Sequence, residues 1–168
     1  MIGEPTSGLW FRCRRIVEFR DTDAAGIAHF SAFFFWMESA EHEFLRELGL
    51  QVVDTSPKDA VSLLRDLPPG EESSQGIEVS WPRVSVSADY KAAVRFGDKI
   101  DVFIAVGKRG LSSLSYRFRF EKSGCLVATG TVVVVRCLMR HGRKPLPVKI
   151  PADILEQMKC YQLPDSDG

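Results

Sequence analysis

Two carboxylates, Asp21 and Asp23, flank Thr22 in the run Asp21-Thr22-Asp23-Ala24-Ala25-Gly26. A carboxylate can serve as nucleophile or general base toward an electrophilic carbon. Aspartates in such a run also order turns and cap helices, so the pair has a structural reading beside the chemical one. Three features favour chemistry at this loop. Gly26 lets backbone come close to a ligand. The residues after it begin a helix, whose first N–H groups lack intrahelical partners and lie at the positive end of the dipole, an arrangement suited to an oxyanion. The surrounding sequence is strongly apolar. Among the histidines, His29 borders the loop, where it either hydrogen-bonds a ligand or holds structure. His42, between Glu38 and Arg46 on a polar face, reads as surface, and His141 lies in a basic tail. None shows the H-x-x-x-H spacing of a metal site, and no metal is expected.

The elements that must position this loop are legible from periodicity. Residues 9–19 read as a first strand, carrying Trp10, Ile16, Val17 and Phe19 among basic residues. After the loop, Phe30, Phe33, Phe34, Met37, Ala40, Phe44, Leu45 and Leu48 recur at helical spacing. Ser31 is the expected cap and Gly49-Leu50 the expected stop, giving about 17 residues and about 26 Å of helix. Its first half, Phe33-Phe34-Phe35-Trp36, is apolar on every side; its second half sets Glu38, Glu41, His42, Glu43, Arg46 and Glu47 on an outer face. A helix apolar all round is one that protein surrounds.

The covering sheet is predicted downstream, as strands at 83–90, 99–107, 112–121 and 125–137. The third alternates Leu114, Tyr116, Phe118 and Phe120 with Ser113, Ser115, Arg117 and Arg119. Gly97-Asp98, Gly110 and Ser123-Gly124 mark turns. Residues 51–75 read as a linker or insert with a short helix from Asp59 to Leu67, and the tail ends in a helix from Ala152 to Tyr161. The expected architecture is α+β: one domain over 9–161, with tails 1–8 and 162–168, in which an antiparallel five-stranded sheet wraps around a long central helix.

Bulk properties narrow the function. The 168 residues are 45% hydrophobic and 26% charged, with Lys plus Arg and Asp plus Glu equal at 22 each. A net charge of zero gives no global field favouring nucleic acid or an acidic membrane. Met1 to Gly8 lacks the pattern of a signal peptide. The longest aliphatic run, Thr131 to Val135, is far short of the roughly 20 residues that span a bilayer. Cys13, Cys125, Cys137 and Cys160 form no C-x-x-C pair, as expected of reduced thiols in a cytoplasmic protein.

The stretch from Phe19 to Phe30, continued by Trp36-Met37-Glu38-Ser39-Ala40 and Leu48-Gly49-Leu50, resembles the signature of the 4-hydroxybenzoyl-CoA thioesterase family. Val86-Ser87-Ala88-Asp89-Tyr90-Lys91 with Gly97-Asp98, Arg109-Gly110-Leu111-Ser112-Ser113-Leu114 and Ile150-Pro151-Ala152-Asp153 resemble further family segments. The resemblance covers about Cys13 to Tyr161, with 51–75 least matched. It implies the hotdog fold, hydrolysis of an acyl-CoA thioester, no cofactor beyond the coenzyme A of the substrate, and a homodimer or homotetramer with sites between protomers. By the same resemblance Asp23 is the catalytic carboxylate, as nucleophile or general base, with Asp21 ordering the loop. Backbone N–H groups around His29 and Phe30 polarise the thioester oxygen. Gly26, Ile27, Phe33, Phe34, Ser112 and Ser113 are candidate substrate contacts, and Lys91, Arg109, Arg143 and Lys144 candidate partners for CoA phosphates. The chain departs from many relatives by carrying Phe30 where they have Tyr or His, and Ala32 where they have Asn. A Phe at position 30 is similar to relatives acting on bulky aromatic acyl-CoAs such as dihydroxynaphthoyl-CoA. The lost polar groups motivate an alternative, a non-catalytic acyl-CoA-binding protein.

Overall fold

Strict alternation in the C-terminal half gives long strands with one apolar face each, and that face needs a cover. The computed structural model describes residues 8–68, 76–140 and 142–164. In chain order they form β1 (Phe11–Ile16), α1 (Phe30–Glu47), β2 (Val53–Asp54), α2 (Ala60–Arg65), β3 (Glu78–Ser80) and β4 (Arg83–Tyr90). There follow β5 (Lys99–Arg109), β6 (Ser113–Lys122), β7 (Cys125–Val135), β8 (Cys137–Met139), β9 (Leu146–Pro147) and α3 (Ala152–Gln157). The main sheet is five-stranded and antiparallel in the order β1-β5-β6-β7-β4. Its inner face presents Ile100, Val102, Ile104, Leu114, Tyr116, Phe118, Phe120, Val132 and Val134 to α1, and all are buried. The α+β fold, with one sheet around one long helix, is the expected one.

Helix α1 buries Ala32, Phe33, Trp36, Met37, Ala40, Glu41, Phe44 and Leu45. Gly130 on β7 makes the close approach workable, because a Cβ there would collide with Met37 Sδ and lie 3.3 Å from the Ser87 carbonyl. The helix stops as expected: Gly49 takes φ +69°, its N–H bonds Arg46 O at 2.9 Å, and Leu50 N–H bonds Leu45 O at 2.8 Å. This double closure satisfies the last carbonyls, and only glycine takes that φ without strain.

Several expectations are corrected. The first strand is shorter than 9–19, ending at Ile16 before a single 3-10 turn over Phe19–Asp21. The short helix expected within 51–75 is α2, and the added feature is β2, which joins β3, β8 and β9 in a second small sheet. These strands of two or three residues are too short to show a period. The strand predicted over 125–137 breaks at Arg136, which turns inward to Asp59 (2.8 and 2.9 Å) and Lys149 O (2.7 Å). The final helix ends at Gln157, with a 3-10 turn over Lys159–Tyr161. Residue 162 is not the start of a loose tail, since Gln162 pairs with Val106 and Leu163 N–H bonds Val106 O. His141 and residues 69–75 lie outside the described residues.

Three positions on α1 differ from the expected faces. Phe35 is 68% exposed in this chain, so protein does not surround the first half on every side. Glu41 is only 1% exposed and His42 is partly buried. Both meet Arg83, whose Nη2 lies 2.9 Å from Glu41 Oε2 and 3.2 Å from His42 Nε2, while its Nη1 reaches Glu38 at 3.3 Å. The bridge lets α1 turn a carboxylate toward β4 without leaving it unpaired.

Burial pushes the Glu41 carboxyl from its ordinary 4.5 up to about 7, against the pull of Arg83. A folded-state value above the unfolded one means the folded chain holds that proton more tightly between those limits. Stability contributed here therefore falls as pH rises through the window and levels off above it. His42, pulled down by burial and Arg83, acts with the opposite sign. Glu41→Gln removes only the first effect. The parent should lose more stability than the variant between about pH 5 and about pH 8, read as the shift in urea midpoint; equal losses would contradict this account.

Candidate active site

The loop is assembled from backbone hydrogen bonds. Val17 N–H bonds Asp98 O and Gly97 N–H bonds Val17 O, each at 2.9 Å, tying the end of β1 to the turn before β5. Asp21 then orders the 3-10 turn, its Oδ2 accepting Glu18 N–H at 2.9 Å. Thr22 and Ala28 pair as an antiparallel bridge, and Asp23 N–H bonds Ile27 O at 2.9 Å. Gly26 closes the tip at φ +72°, its N–H on Asp23 O at 3.0 Å. Asp23 is thus held at a hairpin tip, half-buried. Its Oδ1 accepts Ala25 N–H at 2.8 Å and the longer Ile27 N–H at 3.5 Å. Its Oδ2 has no partner among the described residues.

The helix start follows from the same loop. His29 N–H bonds Asp21 O at 2.7 Å, which holds His29 extended at φ −61°, ψ 142°. His29, not Ser31, is therefore the cap: its Nδ1 accepts Ser31 N–H at 3.3 Å and lies 2.7 Å from Ser31 Oγ. Its carbonyl takes Ala32 N–H at 2.9 Å. Of the two N–H groups expected to face an oxyanion, that of His29 is consumed by Asp21. That of Phe30 has no partner among the described residues, as the first residue of a helix permits. Ala28 N–H bonds Val94 O at 2.8 Å, and Tyr90 Oη donates to Phe30 O at 3.0 Å.

The remaining candidates separate. Gly26 and Ile27 lie in the loop beside Asp23. Phe33 is buried in an aromatic cluster with Trp36, Tyr90 and Phe120, ring centroids 4.9 to 5.1 Å away, and Phe34 is partly buried. Lys91 follows β4 at the loop end of the sheet. Arg109, Ser112 and Ser113 sit at the other end, because Arg109 pairs with Leu114 and Leu114 with Val134, whereas Tyr90 pairs with Ala128. The two ends are about 20 Å apart along β7. Arg143 and Lys144 lie beyond β8, further along on the Arg109 side. One chain therefore does not gather the four basic residues into one cluster.

Arg95 escaped sequence reading. Its guanidinium lies 3.9 Å from the point where a Cβ on Gly26 would be, beside the Asp23 loop. Nothing in its spacing marks it; the Ala28–Val94 hydrogen bond brings it there. Phe19 and Phe96 meet edge to face at 6.5 Å in the same region, 80% and 67% exposed. No group of His, Cys, Asp and Glu among the described residues could hold a metal. No helix of the described residues is long and apolar enough to cross a membrane. The cysteines are free, and burial pushes the Cys13 thiol up to about 11, far from thiolate reactivity.

One antiparallel sheet wrapped on one long helix is the hotdog fold. The profile of the thioesterase-like superfamily matches residues 17–158, and the chain belongs to that family. A 1,4-dihydroxy-2-naphthoyl-CoA hydrolase of Prochlorococcus marinus is 32% identical over 127 residues, covering 73% of this chain and 72% of the relative. Among solved structures, a 1,4-dihydroxy-2-naphthoyl-CoA thioesterase from Synechocystis superposes with TM-score 0.67 at 18% identity, covering 89% of this chain and 95% of that one. A gentisyl-coenzyme A thioesterase gives TM-score 0.65 at 23% identity, covering 88% and 99%.

The cap on α1 generates a test of His29. His29→Ala should cost about 1 kcal/mol, while His29→Asn, which supplies a capping oxygen in place of the ring nitrogen, should cost only a few tenths. Thermal unfolding reads the difference, and equal loss in both would remove the capping role.

Proposed function

We propose that the chain hydrolyses acyl-CoA thioesters at the Asp23 loop, with an aromatic acyl group as the preferred substrate. The observation that carries this reading is the pairing of two unsatisfied groups on one rigid segment. Asp23 Oδ2 is free while Oδ1 is fixed by backbone, and Phe30 N–H is the open donor at the start of α1. The thioester oxygen would bind Phe30 N–H, where positive helix-end potential favours growing negative charge. Asp23 would then attack the carbonyl carbon, forming an acyl anhydride that water opens, or take a proton from an attacking water. In both routes the C–S bond breaks and coenzyme A leaves as its thiol. No cofactor is needed beyond the coenzyme A of the substrate. The apolar Phe30 side chain and the names of the relatives, which act on hydroxynaphthoyl- and gentisyl-CoA, support the aromatic preference.

The working unit we propose is at least a homodimer. Strand β4 is an edge of the main sheet, and Val84, Val86 and Tyr90 on it are 60%, 42% and 45% exposed. An unpaired apolar edge favours pairing with another strand. Two copies related by a twofold axis would pair β4 with β4 antiparallel. That sets the Arg83 end of one copy against the Tyr90 end of the other. Arg109, Ser112, Ser113, Arg143 and Lys144 of one chain would then approach the Asp23 loop of the second, where Lys91 and Arg95 already stand. Phosphates of coenzyme A suit such a cluster.

Two substitutions test the chemistry. Asp23→Asn should lower kcat by more than about 100-fold on a panel of aromatic and aliphatic acyl-CoAs, followed by thiol release. Phe30→Pro removes only a side chain and the free N–H, because proline is tolerated at the first position of a helix. It should lower kcat by about 100-fold while Phe30→Ala stays near the parent. Parent-level turnover by Asp23→Asn would remove the role of Asp23. Saturable acyl-CoA binding without thiol release by the parent would favour the non-catalytic reading raised by Phe30 and Ala32.

A further inference from the structure

The strand that forms one edge of the main sheet ends in a tyrosine that reaches the helix carrying the open N–H. Tyr90 is the last residue of β4, and its Oη donates to the carbonyl of Phe30 at 3.0 Å. Its ring is held edge-on by Phe33 at 5.1 Å, and Phe33 is itself packed on Trp36 and Phe120. Just beyond Tyr90, Lys91 N–H bonds Val127 O at 2.8 Å, so the strand end bearing the tyrosine is fixed to β7. Phe30 is therefore gripped from both sides. Upstream, the His29 N–H to Asp21 O bond holds the peptide that leads into it; downstream, Tyr90 holds its carbonyl. Between these two restraints lies the Phe30 N–H, left unpaired.

First turns of helices fray, because their leading N–H groups lack intrahelical partners. An oxyanion donor is effective only when it is already aimed, and a displacement near 1 Å can cost about 100-fold in rate. We propose that Tyr90 is a positioning residue for thioester hydrolysis, its hydroxyl tethering the first turn of α1 to the sheet so that the Phe30 N–H stays aimed at the thioester oxygen. The proposal rests on the hydrolase reading above. Tyr90 donates its proton and touches no reacting atom. Burial raises its phenol above the ordinary value, so it remains a donor across neutral pH. The tether also links the site to β4, the strand proposed to pair with a second copy.

The test compares Tyr90→Phe, which keeps the ring against Phe33, with Tyr90→Leu, which loses ring and hydroxyl together. Each is assayed on the acyl-CoA panel for kcat and KM, and backbone amide exchange is followed by NMR. Tyr90→Phe should lower kcat about 10-fold with KM within about twofold of the parent. The Ala32 amide, bonded to His29 O in the first turn, should exchange about 10-fold faster, with amides in the second half of α1 unchanged. Tyr90→Leu should show the same first-turn exchange and also a lower Tm. A raised KM at parental kcat would make Tyr90 a substrate contact and overturn the proposal, as would unchanged kcat. A parent inactive on every thioester would defeat the hydrolase reading alone. Unchanged Ala32 exchange in Tyr90→Phe would defeat the tether whatever the activity.

Discussion

Helix α1 is too apolar to exist in water by itself, and one sheet face must cover it. That single constraint sets the order of everything around it. Met37, Ala40, Phe44 and Leu45 have no exposure at all, and the side chains opposite them on β5, β6 and β7 are equally hidden. Each large aromatic side chain so buried contributes on the order of 2 kcal/mol. Strand alternation supplies the matching face, and Gly130 supplies the space for Met37 where a larger residue would hold the two layers apart. A helix seated this firmly has one end free to do chemistry. Its C-terminus is closed by Gly49 and Leu50, while its N-terminus is left with an open donor.

The Asp23 loop can be seen as the way the chain enters that helix. It leaves β1, is pinned to the Gly97-Asp98 turn, folds back through the Thr22–Ala28 bridge and delivers His29 in an extended conformation. Every backbone group that fixes the loop is satisfied within it or by the neighbouring turn. Among the described residues, Asp23 Oδ2 and the Phe30 N–H at the start of α1 have no protein partner. Two buried charges elsewhere in the chain are paired, Arg136 with Asp59 and Glu41 with Arg83. The contrast separates the loop from the structural ion pairs. Those ion pairs fasten the start of α2 to the segment between β7 and β8, and α1 to β4.

The architecture also keeps the candidate basic residues of one chain apart. Antiparallel strands place the Asp23 loop at one end of the sheet and Arg109 at the other, and no rotamer change crosses that distance. The proposed twofold pairing of edge strands would reverse one copy against the other and bring unlike ends together. The exposed Phe35, Val84 and Val86 are apolar surface of the kind that such pairing removes from water.

Much of this was legible in the residues alone. Periodicity of 3.6 and 2 located α1 and the four long strands, because long elements repeat their pattern often enough to be read. The Asp-Thr-Asp loop ahead of an aromatic helix marked the candidate site, because turn chemistry is local. Three things were decided only in three dimensions. His29 displaced Ser31 as the cap because the Asp21 carbonyl, a partner across the loop, holds it extended. Glu41 and His42 went inward because Arg83, distant in sequence, stands on β4 to receive them. Arg95 and Tyr90 come beside the candidate loop and the start of α1 through backbone and hydroxyl contacts that leave no mark in spacing. Local propensity and period fix elements; which polar groups end up paired, and which single N–H stays open, depends on contacts between residues far apart in the chain.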